Sequence, residues 1–263
     1  INTQSHIAPY FKTACLWGSQ RTPSRVTCSA MTPLLRIRGL RVGSPSRPRL
    51  HGIDLDLERG DRLGMLGENG AGKSSLLLTL AGVLAPTAGS IEINGIHGRK
   101  ALRRHVGFLP QRVACYPELT VSENLDWCAR LHGLDRRKRR QAIDRAIARV
   151  ALEPSANTLA GQLSTGVLQR LGLAQALIHE PSILLLDEPT ASLDPVQTAQ
   201  IRGLINAQAQ DVSVILATHL FDDIREICQR VAIIADGAKV ADLPVTADLD
   251  LMAFFHSPQS GVA

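Results

Sequence analysis

The chain has 263 residues, 44% hydrophobic and 20% charged, which excludes a disordered or fibrous protein and allows one large core. No apolar run reaches the eighteen or so residues of a membrane-spanning helix, so the chain is not expected to cross a membrane by itself. The net charge of +5, carried mostly by arginine, suits nucleic acid, an anionic nucleotide or an anionic membrane surface without choosing among them.

The five cysteines, Cys15, Cys28, Cys115, Cys128 and Cys228, are odd in number and form no C-x-x-C pair. They point to reduced thiols in a cytoplasmic protein. No histidine sits at zinc-ligand spacing, so no structural metal is expected. Residues 1–30 show neither helical nor strand period, and the first Met is Met31. This segment reads as an irregular, non-native leader from an over-extended reading frame, upstream of a true start at Met31; a transit peptide is the other reading of its basic, acid-free composition.

From Leu34 the pattern becomes regular. Leu34–Leu40 and Ile53–Leu57 alternate as half-buried antiparallel strands, with a turn-rich loop at Gly43–Pro48 between them. Arg62–Leu66 reads as a short buried strand, and a helix runs on from Leu76 to about Leu84. Ser90–Ile93 and Val106–Gln111 are predicted strands, the second delivering Gln111 at its end. Val121–Leu131 and Arg136–Leu152 read as helices of an insertion without strand signal. The basic run Arg136–Arg140 opens the second of them and reads first as a solvated face, with lipid head groups as the sharper alternative. Then follow a helix over Thr165–His179, a buried strand Ser182–Leu186, a helix Pro195–Ala209, a strand Val214–Ala217 and a helix Phe221–Cys228. Val231–Ala235 and Lys239–Leu243 form a hairpin through Asp236-Gly237. Alternating strands and helices predict an α/β fold around a mainly parallel sheet.

Between the Arg62–Leu66 strand and its helix lies Gly67-Glu68-Asn69-Gly70-Ala71-Gly72-Lys73-Ser74-Ser75, which fits G-x-x-x-x-G-K-[ST]. The glycines let successive N–H groups turn toward a phosphate chain, and the helix adds its positive dipole end. Lys73 can reach the β- and γ-phosphates, and the Ser74 hydroxyl can ligate Mg²⁺. In an open parallel sheet, ligands gather at the carboxyl ends of the strands. Three more strands end in polar chemistry: at Gln111, at Asp187-Glu188 and at Thr218-His219. Asp187 is assigned to magnesium and Glu188 to orienting or deprotonating the attacking water. Successive strand residues face opposite sides, so a bend at Pro189 is expected to bring both carboxylates to one nucleotide. Gln111 can contact Mg²⁺ or the water, and His219 the γ-phosphate.

The order Gly67–Ser74, Gln111, Leu163-Ser164-Thr165-Gly166, Ile183–Glu188, Ser192-Leu193-Asp194, His219 resembles the ATP-binding cassette family in its single-domain transporter ATPase form, over about Leu34 to Leu243. The resemblance implies a RecA-like P-loop NTPase core with an N-terminal antiparallel β subdomain and an inserted α-helical subdomain at about 112–166. The ATPase domain would span 31–249, with a short tail at 250–263. It implies ATP and Mg²⁺ as ligands and a head-to-tail dimer. In that dimer Ser164 and Gly166 of one copy bind the γ-phosphate held by the other, and Asp194 organises the seam. An integral-membrane permease would dock near Val113–Asn124, placing the protein on the cytoplasmic face of the membrane; no nucleic acid is expected as a partner. The variant signature Leu163-Ser164-Thr165-Gly166-Val167, the Glu118–Leu125 stretch and the short tail look most like exporters of the ABC-2 kind. A soluble cassette ATPase acting on the ribosome or DNA is the alternative, favoured by the basic charge. The family usually places an aromatic residue for adenine before the second strand. Arg41–Leu50 contains none, so weak base discrimination is expected.

Overall fold

The computed structural model describes residues 33–249 apart from Pro45; the leader 1–30 and the tail 250–263 lie outside the described residues. Two sheets make up the fold. One is antiparallel, in the order β2-β1-β4-β5, from β1 (Leu35–Ser44), β2 (Arg47–Leu57), β4 (Ala88–Ile93) and β5 (Ile96–His97). The other, in the order β10-β9-β3-β8-β7-β6, combines β3 (Arg62–Leu66), β6 (Val106–Leu109), β7 (Ile183–Asp187), β8 (Ser213–Thr218), β9 (Arg230–Ala235) and β10 (Ala238–Pro244). It is parallel throughout except for β10, which returns antiparallel on β9.

Period-two alternation decides what each face of the parallel sheet touches. Leu63, Met65, Ile183, Leu185, Ile215, Ala217, Ala232 and Ile234 face a core shared with the antiparallel sheet, α1 (Lys73–Leu80) and α2 (Arg99–His105). Leu66, Leu184, Leu186, Val214, Leu216, Val231 and Ile233 face a second core. That core is shared with α3 (Val121–Leu131), α4 (Arg136–Arg149), α5 (Thr165–Leu177), α6 (Pro195–Gln208) and α7 (Phe221–Ile227). The inserted helices α3 and α4 therefore have no separate core of their own. Burying each of these Leu, Ile, Val and Met side chains contributes about 1.5–3 kcal/mol. Asp187 follows Leu186 and so faces the α1 side, whereas Thr218 follows Ala217 and faces α6 and α7.

Several expectations shift. The predicted Gly43–Pro48 loop is mostly strand, since β1 and β2 stay paired up to Ser44 opposite Arg47. The helix expected to reach Leu84 ends at Leu80. Gly82, at φ 71°, closes it with bonds from Gly82 N–H to Thr79 O and from Val83 N–H to Leu78 O, a Schellman end. The second inserted helix stops at Arg149 rather than Leu152, and the helix from Thr165 stops at Leu177 rather than His179. The sequence reading did not include α2 and β5: Arg99–His105 is mostly basic and carries no clear apolar period, and β5 has only two residues. The basic run also departs from a uniformly solvated face. Arg139 donates to Asp126 (2.9 Å) and to the Leu134 carbonyl (3.3 Å), while Arg136, Arg137 and Arg140 are exposed.

Candidate nucleotide site

Strand β3 ends at Leu66 and the chain turns through Gly67–Gly72 into α1. Two glycines make the turn: Gly70 has φ 86°, and Gly72, the residue before the helix, has φ 108°. At Gly72 a Cβ would also meet the Arg49 carbonyl at 3.1 Å and Leu50 at 3.0 Å, so the position excludes a side chain twice over. The first helical bond of α1 runs from Leu76 N–H to Gly72 O. The N–H groups of Lys73, Ser74 and Ser75 precede it and lie at the positive end of the helix dipole, which suits an anion. Lys73 is buried, and its ammonium donates to the carbonyls of Gly67 (2.7 Å) and Glu68 (3.1 Å). Burial pushes its pKa down, and the charges of Glu188 and Asp187 oppose that shift.

A cleft of about 220 Å³ opens over this loop, lined by Glu68, Asn69, Gly70, Gly72, Lys73, Ser74 and Ser75 together with Gln111, Glu188 and His219. Gly67 and Ala71, both predicted binding residues, do not line it. They brace the loop from behind: Gly67 accepts from Lys73, and Ala71 O accepts from Gly237 N–H at 2.9 Å in the β9–β10 turn. That turn is the predicted Asp236-Gly237, with φ 45° and 73°.

The Ser74 hydroxyl donates to Asp187 Oδ1 at 3.2 Å. Burial pushes the Asp187 carboxyl up; the Ser74 hydrogen bond and Lys73 pull it down, while Glu188 adds to the rise. Asp187 does not itself line the cleft but sits behind Ser74; its carboxylate, the Ser74 hydroxyl and Gln111 are hard oxygen donors of the kind Mg²⁺ takes. The expected bend at Pro189 is corrected. The chain turns at Glu188 itself, a non-glycine residue at φ 51°, which rotates its side chain out of strand alternation and into the cleft. Glu188 N–H still bonds Ala217 O at 2.8 Å. Its carboxylate, only 8% exposed, accepts from His219 Nδ1 (2.9 Å) and from the Thr218 hydroxyl (3.3 Å). Glu188 and His219 thus form one unit at the ends of β7 and β8, with His219 half-exposed toward solvent.

The remaining predicted residues lie elsewhere in the chain. Ser164 caps α5, its hydroxyl accepting from Val167 N–H at 3.5 Å, and it is exposed. Gly166 sits in the first turn of α5 against Gln197 of α6, where a Cβ would meet the Gln197 side chain at 2.8 Å. Asp194 caps α6, accepting from Gln197 N–H at 2.8 Å. None of the three lines the cleft of its own chain.

The sequence reading also missed a buried cluster behind Glu188. Asp223 on α7 is fully buried; it accepts from Thr190 (2.5 Å) and Arg202 of α6 (2.7 Å) and lies 3.4 Å from the Thr218 hydroxyl. Its one sequence signal is an acid beside Ile224 on the apolar side of α7, where an acid in the first helical turn ordinarily faces water.

Comparison with known proteins gives a consistent picture. The family model described as ABC transporter matches residues 50–191, more than half of the chain. The ABC transporter ATP-binding protein YxlF of Bacillus subtilis is 37% identical over 70% of this chain and 62% of its own length, so the chain spans less than two thirds of that relative. The bacitracin transport ATP-binding protein BcrA of Bacillus licheniformis is 32% identical over 81% of this chain and 71% of its own. The methionine import ATP-binding protein MetN of Nocardia farcinica is 36% identical over 85% and 68%. Among solved structures, cbiO1 of Clostridium perfringens, part of the ABC transporter complex cbiONQ, superposes with a TM-score of 0.73 at 27% identity, covering 81% of this chain and 88% of that one. The dimeric cassette MJ0796 bound to ADP and Pi gives 0.71 at 25% identity, covering 81% and 99%. With a glycine-turned phosphate loop, a carboxylate on its serine and a second carboxylate bent over the same loop, the chain belongs to the ABC transporter family.

Proposed function

We propose that this cassette powers export through a separate integral-membrane permease, working as a head-to-tail dimer on the cytoplasmic face of the membrane. The observation that carries the hydrolytic part is the geometry of Glu188. Its left-handed backbone brings the carboxylate into the phosphate-loop cleft, and His219 and Thr218 fix its orientation. Glu188 orients the attacking water and accepts its proton, and His219 holds Glu188 and reaches toward the γ-phosphate. Lys73 and the N–H groups opening α1 bind the phosphates. Ser74, Asp187 and Gln111 would hold Mg²⁺, which when bound neutralises phosphate charge. Ser164 and Gly166 serve the site of the second copy, in keeping with their distance from this chain's own cleft, and Asp194 lies at the seam.

For the permease, the support is a surface. Tyr116 (49% exposed) stacks edge-on against Trp127 (43%) at 5.8 Å, with Leu131 (72%) on the same helix. They lie in and beside the Val113–Asn124 stretch. No described helix is long and apolar enough to cross a membrane. Outward direction rests on Thr165 in the signature and on the Glu118–Leu125 stretch. The relatives are named for bacitracin transport and for methionine import, and both are compatible with the shared cassette chemistry.

The test of the hydrolytic role is Glu188→Gln. Turnover should fall by about 10²–10⁴-fold, as for loss of a positioned general base, while Mg-ATP binding is retained. Hydrolysis at the wild-type rate removes Glu188 from the role. Co-purification of a polytopic membrane protein, lost on Tyr116→Glu, tests the permease surface.

A further inference from the structure

The β7–β8 ladder ends at Asp187 opposite Ala217, followed by the single bond from Glu188 N–H to Ala217 O. Glu188 lies past the last paired residue of β7, and His219 lies one residue past Thr218, the last residue of β8, which pairs only with Leu66 of β3. Asp223 holds both segments. Oδ2 accepts from the Thr190 hydroxyl, two residues after Glu188, at 2.5 Å, and lies 3.4 Å from the Thr218 hydroxyl, the residue before His219. Oδ1 accepts from Arg202 Nε and Nη2, both at 2.7 Å, and Arg202 Nη1 continues to Glu226 at 2.8 Å.

Thr218 is the shared member. Its hydroxyl accepts from Leu220 N–H (3.0 Å) and has one proton to give, with Glu188 Oε2 at 3.3 Å and Asp223 Oδ2 at 3.4 Å both in reach. The cluster therefore touches Glu188 only through a hydroxyl. A buried ion pair contributes little net stability compared with apolar packing of the same volume, so fold stability alone does not account for it.

We propose that Asp223 is a positioning residue for hydrolysis, clamping the segments that carry Glu188 and His219 and fixing them through Arg202 to α6, the helix that Asp194 caps. This rests on the reading of Glu188 as the group that activates water. Thr190 and Thr218 are the two contact points, and Arg202 aligns the carboxylate between them.

The experiment compares Thr190→Val, Thr190→Ser and Asp223→Asn in the full chain. Turnover is measured per Mg-ATP site, counted by binding stoichiometry, so that misfolded protein does not enter the rate. Val keeps the shape of Thr190 and loses the donor, whereas Ser keeps the donor and loses a methyl group. The expected result is a kcat per site roughly 10–100-fold lower in Thr190→Val and Asp223→Asn, with Thr190→Ser within about threefold of wild type and Mg-ATP affinity unchanged. The opposite order, with Val active and Ser impaired, or a wild-type kcat per site in Asp223→Asn, overturns the proposal. If Asp223→Asn does not fold, Arg202→Gln/Asp223→Asn removes both charges together and should show the same loss. The Glu188→Gln result separates the two claims. Wild-type turnover there removes the reading of Glu188 itself; loss there with normal Thr190→Val and Asp223→Asn removes only the role of Asp223.

Discussion

Two helix starts in this chain offer an anion the same backbone chemistry and differ in everything around it. At α1 the free N–H groups lie under a cleft walled by Lys73, Glu188, His219 and Gln111, with Asp187 behind Ser74. At α5 the start is capped by Ser164, is exposed, and has no acidic residue in its first turn. The dipole at a helix start contributes only about 0.3–1 kcal/mol at an exposed position. A helix start therefore binds a phosphate usefully only when other elements complete the site. The chain completes the first of these two starts itself; in the proposed head-to-tail dimer a second copy completes the other.

The sharpest way to break that contrast is Ser164→Arg. Mg-ATP binding by the single chain should stay within about threefold of wild type, because the residue does not line the cleft, while turnover falls by roughly a hundredfold as transition-state contacts are lost. Binding that weakens in parallel with turnover would place Ser164 in the cis site. Lys73→Ala should behave the other way, weakening Mg-ATP affinity roughly 10–100-fold through loss of charge-assisted bonds to phosphate. Equilibrium titration reads both variants.

The far end of α5 supplies a third contrast, in stability. His179 stacks on His132 of the α3 end with ring centroids 3.8 Å apart, and Nε2 faces the Val106 carbonyl at 3.1 Å. Burial, with the nearby His132, pushes His179 down to about 4. The folded value lies below the unfolded one, so the unfolded chain binds the extra proton between them. The contribution is therefore complete above about pH 6.5 and is lost as pH falls toward 4, amounting in full to about 3 kcal/mol. Denaturant melts at pH 7 and 5 should show about 2 kcal/mol of that loss, and His179→Gln should remove most of it. A wild-type slope in His179→Gln contradicts the assignment. The smallest expected effect concerns the base. With no aromatic residue in Arg41–Leu50, GTP should compete with ATP to within about tenfold, since stacking on an aromatic contributes only about 1–3 kcal/mol per base. A preference for ATP of a hundredfold or more counts against it.

The sequence showed the site wherever a buried strand ran into polar residues. Leu63–Leu66, Ile183–Leu186 and Val214–Ala217 are apolar on both faces, so their ends could be placed to within a residue, and Gly67–Ser75, Asp187-Glu188 and His219 came with them. It did not show where the backbone turned. Proline seemed the natural bend, yet Glu188 takes the left-handed conformation, at a cost the surrounding bonds carry. Asp223 and Arg202 were also hidden, because a charged residue on an amphipathic helix reads as surface until its neighbours are known. Periodicity likewise could not find α2, whose burial is limited to Ala101 and Leu102.

The most direct measurement mixes two impaired variants, Lys73→Ala and Ser164→Arg, at an ATP concentration too low to fill the Lys73→Ala loop. In a head-to-tail pair, one of the two shared sites then joins an intact phosphate loop to an intact Ser164. The account predicts that ATPase activity well above that of either protein alone appears on mixing and falls again on dilution. A mixture as inactive as its components, with wild-type protein active under the same conditions, contradicts a site completed by a second copy.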